Sequence, residues 1–417
     1  MFPPAAELRR GDRGGAIASS TRAVAGALAV LLQILSAGCE TASLSAVADP
    51  KPSPAKAWTP LAAPPVVPSL VPTGEGARSG PTAQAAANSS KPADAPAPST
   101  PTALVVVREP WTWAESTGYV LRSPNYEIST TVKDESLLRD MPILMEAALV
   151  HFRTGLVELP APRSAMRSMF FDRRTEWAAY TKRRLPQEAE TYLGIGRGGY
   201  TTGGESVLYN LGRSDTFIIA VHEGWHQYTQ TTFKDRLPTW LEEGMACWME
   251  GHRFRRESAP TFAPWRNMER YGALRDAVEE GRLVSLGDLL RGTPQEALGE
   301  GRATLLGYYA QVWALVHFLN EGQGGRYAEA LRRALRDAAE GTLVRTVMSS
   351  DAVPPEARRP WALARNGRWV AAAYFNPNID ELESQYRDFI RLIVADGGGN
   401  RIWKGLSPAQ RDAPPAR

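Results

Sequence analysis

Apolar residues follow a strand-like pattern early in the folded part of the sequence and a helical pattern later. Short runs of apolar and β-branched residues predict strands at 119–123, 126–131, 168–171 and 205–210. Apolar positions three and four apart predict helices at 136–156, 176–184, 239–250, 265–280, 304–320, 327–339 and 379–394. Strands first and helices later favour an α+β domain rather than a doubly wound sheet.

A glycine-rich stretch at 194–204 precedes the fourth predicted strand. It lacks the strand–turn–helix context of a phosphate-binding loop, so the sequence predicts a surface loop that leads into the strand. The strand at 207–210 has two interpretations. It pairs through its backbone with an extended peptide, as an edge strand can, or it is an ordinary strand of the sheet.

Residues 1–38 contain the three parts of an export signal: a basic opening, an apolar run at 23–35 and small residues before Cys39. The apolar run is shorter than the about 20 residues that a membrane span needs. Residues 35–39, Leu-Ser-Ala-Gly-Cys, resemble the lipobox of bacterial lipoproteins, which implies a lipidated Cys39 and an exported, membrane-tethered protein of the cell envelope, facing the periplasm or the exterior. The alternatives are a plain secretory signal and a short N-terminal anchor.

The next segment, 39–103, is rich in proline, alanine and serine, and 13 of the 32 prolines lie between 50 and 101. So few large apolar residues cannot offset the entropy of ordering, which predicts a disordered tether. The sequence therefore predicts four parts: the signal at 1–38, the tether at 39–103, one folded domain at 104–405 and a flexible tail at 406–417.

Charge and cysteine content exclude some classes of protein. The net charge is +3, of which residues 1–38 carry +2 (four arginines against two acidic residues), so the remainder is nearly neutral and nucleic-acid binding has no support. The only cysteines, Cys39 and Cys247, exclude a disulfide framework and a C-x-x-C site. In its apolar surroundings Cys247 is predicted to be a buried, inert thiol.

The chemistry is concentrated in His222-Glu223-Gly224-Trp225-His226, an H-E-x-x-H sequence that follows an apolar run. On a helix, residues four apart share one face, so both imidazoles can reach one Zn2+ at about 2.0–2.1 Å. Glu223 lies between them and suits a general base acting on zinc-bound water. The third histidine of the metzincins is missing, because Thr232 stands in its place.

Residues 240–246, Trp-Leu-Glu-Glu-Gly-Met-Ala, follow closely. H-E-x-x-H followed by W-L-x-E-G-x-A resembles the gluzincin metallopeptidases, and an aromatic-rich helix at 308–317 extends the likeness. The resemblance implies a zincin-like fold and one zinc ion, with Glu243 as its third ligand beside His222 and His226. The G-x-M-E-N signature by which aminopeptidases hold a free N-terminus is absent, which argues against an aminopeptidase and leaves the substrate open.

Further site residues are predicted with alternatives. Gluzincins often use a Tyr or His of a later helix to stabilise the oxyanion, which makes Tyr309 the candidate, followed by Tyr308 and His317. Core packing is the competing role for all three. Glu242 is the nearest rival to Glu243 as third ligand, although it is expected to be a solvated helix charge. Glu250 is expected to support a ligand, and His252 is a fallback ligand.

The sequence thus predicts an exported zinc metallopeptidase, whose substrate is a peptide or protein and whose catalytic residues are Glu223 and Tyr309. The alternative is a catalytically inactive envelope lipoprotein that keeps the gluzincin fold and acts as a binding module. The intact pentapeptide favours the enzyme, because an inactive site has no chemical need for Glu223.

Overall fold

A computed structural model describes residues 104, 106–194, 198–255, 258–364 and 367–410. The predicted export signal at 1–38, the lipidation site Cys39 and the predicted tether at 39–103 lie outside the described residues, as does 411–417 of the predicted tail. Within the described ranges, no helix combines the length and apolar character that crossing a membrane requires.

Six strands form one mixed sheet in the first half of the described chain, in the order β1-β2-β3-β4-β6-β5. Their bounds are Val107–Trp113 (β1), Ser116–Arg122 (β2), Tyr126–Thr130 (β3), Met166–Phe171 (β4), Gly199–Thr202 (β5) and Glu205–Tyr209 (β6). The first three are antiparallel, β4 runs parallel to both β3 and β6, and β5 returns antiparallel to β6. One edge of the sheet is therefore β5.

Helices cover both faces of this sheet. Those that precede β6 are α1 (Glu135–Thr154), α2 (Arg174–Arg184) and α3 (Ala189–Leu193). Because side chains alternate along a strand, Leu208 of β6 joins the main core with α1, whereas Val207 and Tyr209 join a smaller cluster around Trp177 of α2. The sheet thus separates the main core from a small aromatic one.

The rest of the described chain is mainly helical, with one short hairpin of β7 (His252–Arg253) and β8 (Thr261–Phe262). The helices next to the site are α4 (Arg213–Thr232), α5 (Thr239–Met249), α6 (Met268–Glu279) and α9 (Arg302–Gly325). The others are α7 (Leu286–Arg291), α8 (Pro294–Gly299), α10 (Ala328–Glu340), α11 (Leu343–Ser349), α12 (Pro355–Ala364), α13 (Arg368–Tyr374), α14 (Ile379–Val394) and α15 (Gly398–Lys404).

The centre of the helical half is α9, whose residues from Leu305 to Leu319 are almost all buried. A helix that is apolar on every side must be enclosed by others, and α9 packs against α5, α6, α8, α10 and α14. Its approach to α5 is close, because a Cβ atom on Gly244 would lie 2.7 Å from the Val312 carbonyl oxygen. Gly244 therefore lets α9 reach the helix that carries Glu243.

The fold is mixed α+β, strand-rich in its N-terminal part and mostly helical in its C-terminal part, as predicted. One local prediction was wrong: the stretch 194–204 is not only a surface loop, since Gly199–Thr202 form the largely buried strand β5. The reason is a two-residue hairpin at Gly203 and Gly204, whose φ angles of 59° and 76° favour glycine. Consequently 207–210 is not an edge strand, because β6 lies between β4 and β5.

Candidate metal centre

The two histidines of the H-E-x-x-H sequence lie on the most deeply buried part of α4. This helix is covered by β5 and β6, by α1 and by α5. Four residues apart, His222 and His226 fall on one helical face, and neither has any exposed surface. Burying two imidazoles side by side is costly unless their polar atoms have partners, so the surroundings of each ring nitrogen are informative.

Three donor atoms from α4 and α5 converge on one point. The Nε2 atoms of His222 and His226 are 3.2 Å apart, and Glu243 Oε2 lies 3.6 Å from the first and 3.5 Å from the second. Zinc–ligand bonds of about 2.0–2.1 Å in a tetrahedron place neighbouring ligand atoms about 3.3 Å apart. The triangle therefore has the size that a single four-coordinate ion needs.

The hydrogen bonds made by the Nδ1 atoms of the two histidines determine that their lone pairs lie on the Nε2 atoms. Nδ1 of His222 lies 2.6 Å from Glu250 Oε1, and Nδ1 of His226 lies 3.0 Å from Glu242 Oε1. A carboxylate only accepts hydrogen bonds, so each Nδ1 donates and each Nε2 of a neutral ring presents a lone pair. Two lone pairs that face each other at this distance repel unless a cation lies between them.

Glu243 contributes the negative charge of the cluster. Its Oε2 is buried and has no hydrogen-bond donor among the described residues. Burial raises the pKa of Glu243, but His226 and His222 outweigh burial and lower that pKa to about 2. At His226 burial is likewise outweighed, by Glu243 and Glu242, which raise the pKa of the ring well above 6.5. The cluster is therefore built to hold positive charge, and a proton on His226 and a metal ion compete for it.

Glu250 anchors His222 from behind, as predicted for a supporting residue. Its carboxylate also accepts hydrogen bonds from Arg270 Nη2 at 2.7 Å and from Asn267 Nδ2 at 2.6 Å, both reaching over from the start of α6. Burial raises the pKa of Glu250, but the charge of Arg270 outweighs it and brings the pKa to about 2. Glu250 thus stays ionised and holds the His222 ring in place.

Glu242 differs from its prediction, since it is not a solvated helix charge. It is 8 % exposed, and its Oε1 accepts hydrogen bonds from the His226 ring and, at 2.6 Å, from the Thr229 hydroxyl. The first turn of α5 packs against the C-terminal end of α4, so the Glu242 carboxylate points toward α4 rather than into solvent. Both glutamates therefore face the cluster: Glu242 contacts Nδ1 of His226, and Glu243 lies beside its Nε2.

A second group of residues, His222, Cys247 and Glu250, also has the spacing of a metal site. It shares His222 with the first group but is less suited to a cation. Both oxygens of Glu250 already receive hydrogen bonds from the Arg270 guanidinium, whose positive charge repels an ion placed there. Burial raises the pKa of the Cys247 thiol well above 9, so Cys247 is a neutral, buried thiol as predicted.

Glu223 lies beside the triangle and is held by a residue that the sequence analysis missed. Thr201 of β5 donates its hydroxyl hydrogen to Glu223 Oε2 at 2.8 Å, while Glu223 Oε1 has no partner among the described residues. Burial raises the pKa of Glu223. Gly199 lets β5 pack closely on β6, because a Cβ there would lie 3.0 Å from the Val207 carbonyl oxygen. The Gly203-Gly204 pair was the available signal for the hairpin that carries Thr201.

Two of the three oxyanion candidates, Tyr308 and Tyr309, lie within electrostatic range of Glu243, and Tyr309 also has its ring beside His222. Tyr309 is fully buried, with its ring centre 6.3 Å from that of His222. Tyr308 instead directs its hydroxyl to the Gly292 carbonyl at 3.4 Å. His317 stacks on Trp265 with ring centres 3.7 Å apart, inside an aromatic cluster. The fallback ligand His252 donates from Nδ1 to the Glu250 carbonyl at 2.8 Å and lies outside the triangle.

A cavity of about 450 Å³ opens beside the triangle. Its walls are the end of α4 with the loop that follows it, the start of α5, and the β5–β6 turn. Glu242 and Glu243 form part of the lining, so the cavity borders the cluster on its carboxylate side, while His222 and His226 lie behind it, fully buried.

The chain matches no protein-family model, and a comparison with curated proteins finds no match. The arrangement of these side chains is therefore the basis for its function. That arrangement offers two imidazole lone pairs, two carboxylates of different environment, and an adjoining cavity.

Proposed function

We propose that this chain is a zinc-dependent metallopeptidase of the gluzincin type, with a zincin-like fold. The observation that carries the proposal is the convergence of His222 Nε2, His226 Nε2 and Glu243 Oε2 within 3.2–3.6 Å of one another, with the Glu223 carboxylate alongside. Two imidazoles and one carboxylate, with a fourth position left open, are a ligand set of catalytic zinc sites.

The surroundings of the ligands favour zinc as the occupant. Each imidazole is backed by a carboxylate, Glu250 or Glu242, an arrangement that fixes ring orientation and increases the basicity of the metal-binding nitrogen. When bound, Zn2+ would act as a Lewis acid that polarises the substrate carbonyl and makes water more acidic. His222, His226 and Glu243 would hold it.

Glu223 is assigned the role of general base. The Thr201 hydroxyl holds Oε2, so Oε1 is the oxygen that takes the proton from the attacking water and later passes it to the leaving nitrogen. Burial raises the pKa of Glu223, which makes its carboxylate a stronger base. Thr201 is a positioning residue in this scheme.

The substrate is proposed to be a peptide in extended conformation. β5 pairs with β6 on one side, and its other side has no strand partner among the described residues. β5 is buried except at its end, where Thr201 and Thr202 line the cavity, so the peptide is proposed to pair with this end of the strand and to bring one of its carbonyl groups toward Glu223. Tyr309, whose phenol burial keeps neutral by raising its pKa well above 10, is proposed to donate to the developing oxyanion.

The test is cleavage of a mixed peptide library by the purified chain and by a Glu223→Gln variant, with metal content measured for both. The proposal expects about one zinc per chain in both proteins, and a rate at least 100-fold lower in the variant. Zinc in both proteins without cleavage by either would favour the alternative, a metal-holding envelope protein that binds peptides without hydrolysing them. The absence of bound metal in both would refute both versions.

Location is proposed separately, from residues 1–39. We propose export and lipidation of Cys39, which together would attach the domain to a membrane of the cell envelope. Intact-mass measurement of the mature N-terminus tests this. A diacyl or triacyl mass increase on Cys39 is expected, and an unmodified terminus at any other residue would contradict it.

A further inference from the structure

In the cavity beside the triangle of donor atoms, the acidic side chains have partners within the protein, whereas the basic side chains have none within the described ranges. Three carboxylates line it, and all are engaged within the protein. Glu242 is bound to His226 and Thr229, and Glu243 belongs to the triangle. Asp235 Oδ2 accepts the backbone N–H of Val344 at 3.0 Å, at the start of α11. Each of the three carboxylates thus already has a partner within the protein.

The two cations of the same cavity are in the opposite situation. Lys234 and Arg236 lie in the loop between α4 and α5, on either side of Asp235. Neither has an ion-pair or hydrogen-bond partner for its side chain in the part of the chain that the structure describes. Asp235 is the carboxylate nearest to them in sequence, and its binding to α11 withdraws it from both.

The base of the Lys234 side chain has a defined place. It packs over Gly341, the left-handed residue that ends α10, where an added Cβ would lie 2.9 Å from Lys234 Cβ. The apolar residues Phe233 and Leu237 line the same cavity. The cavity thus combines a partly apolar wall with two cations that form no ion pair among the described residues.

We propose that this cavity binds a carboxylate of the peptide substrate, held by Lys234 and Arg236 while the peptide lies along β5. The inference rests on the proposed peptidase function and adds a substrate class to it: peptides with a negative charge close to the bond that is cut. The carboxylate can come from an aspartate or glutamate side chain or from the C-terminus of the peptide, which are the same chemical group.

The expected size of the preference follows from the exposure of the two cations. Solvent-exposed ion pairs each change an equilibrium by a factor of up to about five, so two that contribute about threefold each give roughly a tenfold preference. Because salt screens such pairs, the preference should shrink as ionic strength rises from 0.05 M to about 0.5 M. A preference that is insensitive to salt would contradict this origin.

The experiment measures binding and cleavage separately. Fluorescent peptides that differ only by Glu or Gln at one position, and by a free or amidated C-terminus, are titrated against the zinc-loaded Glu223→Gln protein. The same peptides are then cleaved by the zinc-loaded wild-type protein. The test variant is Lys234→Glu with Arg236→Glu. The control is Lys182→Glu, an exposed cation on α2, on the opposite face of the sheet.

Roughly tenfold tighter binding of the carboxylate peptide is expected for the parent protein, with loss of that preference in the charge-reversed variant and its retention in the control. The Glu/Gln pair and the free/amidated pair show which carboxylate is bound. Equal binding of charged and uncharged peptides in the parent protein would overturn the inference. Cleavage without charge preference would refute only this inference, whereas binding preference without any cleavage would refute only the peptidase function.

Discussion

Two regions of the molecule bury histidines, and they do so in opposite ways. Where α4 packs against α5, both ring nitrogens of His222 and both ring nitrogens of His226 lie next to carboxylate oxygens. In the aromatic cluster between α9 and α6, His317 faces indole rings, and its Nε2 has no hydrogen-bond partner among the described residues. Burial is complete in both places, so burial alone does not make a histidine a metal ligand.

The difference is visible in the protonation of the rings. Burial lowers the pKa of His317 to about 3, so this ring is neutral over the whole physiological range. At His226 burial acts in the same direction, but Glu243 and Glu242 outweigh it and raise the pKa well above 6.5. The lesson is that buried carboxylates, rather than the histidines themselves, distinguish a cation site from a core position.

The comparison predicts its largest effect for removal of a ligand. His226→Ala should lose stoichiometric zinc and all peptidase activity, because two protein ligands do not hold a catalytic zinc. His317→Phe should keep both, because Phe preserves the stacking on Trp265. Metal analysis of the purified variants is the measurement. Equal zinc loss in the two variants would show that the comparison is wrong.

A smaller effect is predicted for the carboxylates behind the ligands. Glu242→Gln should weaken zinc affinity by about 10- to 100-fold, since the amide still accepts the His226 hydrogen but carries no charge. Competition with a chromophoric chelator measures this. Glu250→Gln should weaken affinity similarly and also lower thermal stability, because Arg270 then remains buried without its counter-ion. Unchanged zinc affinity in both variants would contradict the roles assigned here.

A still smaller effect on activity is expected for Thr201, which contacts the proposed general base Glu223 and none of the proposed metal ligands. Thr201→Val should lower kcat by about tenfold with KM nearly unchanged, because Glu223 loses the donor that orients it. Without that donor the pKa of Glu223 should rise, which moves the acid limb of the pH–rate profile upward. Thr201→Ser restores the hydroxyl and should recover most of the rate. No recovery with Ser would indicate a packing role only.

The last prediction concerns the aromatic cluster and changes stability against acid rather than activity. A histidine whose folded pKa is lowered is protonated more readily in the unfolded chain, so its contribution is full above about pH 6.5 and declines as the pH falls toward 3. Between pH 7 and pH 4, wild type should therefore lose roughly 3 kcal/mol more unfolding free energy than His317→Phe. Denaturant melts at several pH values measure the difference, and parallel pH curves would contradict it.

The sequence indicated the parts of the site that local spacing determines. His222 and His226 are four residues apart on one helix, and Glu243 follows within the next helix. The three donor atoms therefore come together as soon as α4 and α5 pack against each other. The strand and helix pattern was also recovered, apart from β1, whose residues are mostly exposed, and from short elements such as β5 and α7, which have little apolar periodicity of their own.

What could not be predicted depends on contacts between distant segments. Thr201 reaches Glu223 only because the hairpin places β5 over α4, and Arg270 reaches Glu250 only because α6 folds back onto α5. The direction of Glu242 was mistaken for the same reason: an acidic residue at a helix start is usually solvated, and nothing in its local sequence shows that α4 covers it. Such contacts join residues that are far apart in the sequence, so no local pattern of residues indicates them.

The central claim is that one zinc ion is held by His222, His226 and Glu243, with no part for Cys247. X-ray absorption spectroscopy of the zinc-loaded chain tests it most directly. The account predicts only nitrogen and oxygen neighbours at about 2.0–2.1 Å, including two imidazoles. A zinc–sulfur distance of about 2.3 Å would instead assign the ion to Cys247, and a chain that takes up no stoichiometric zinc would contradict the account as a whole.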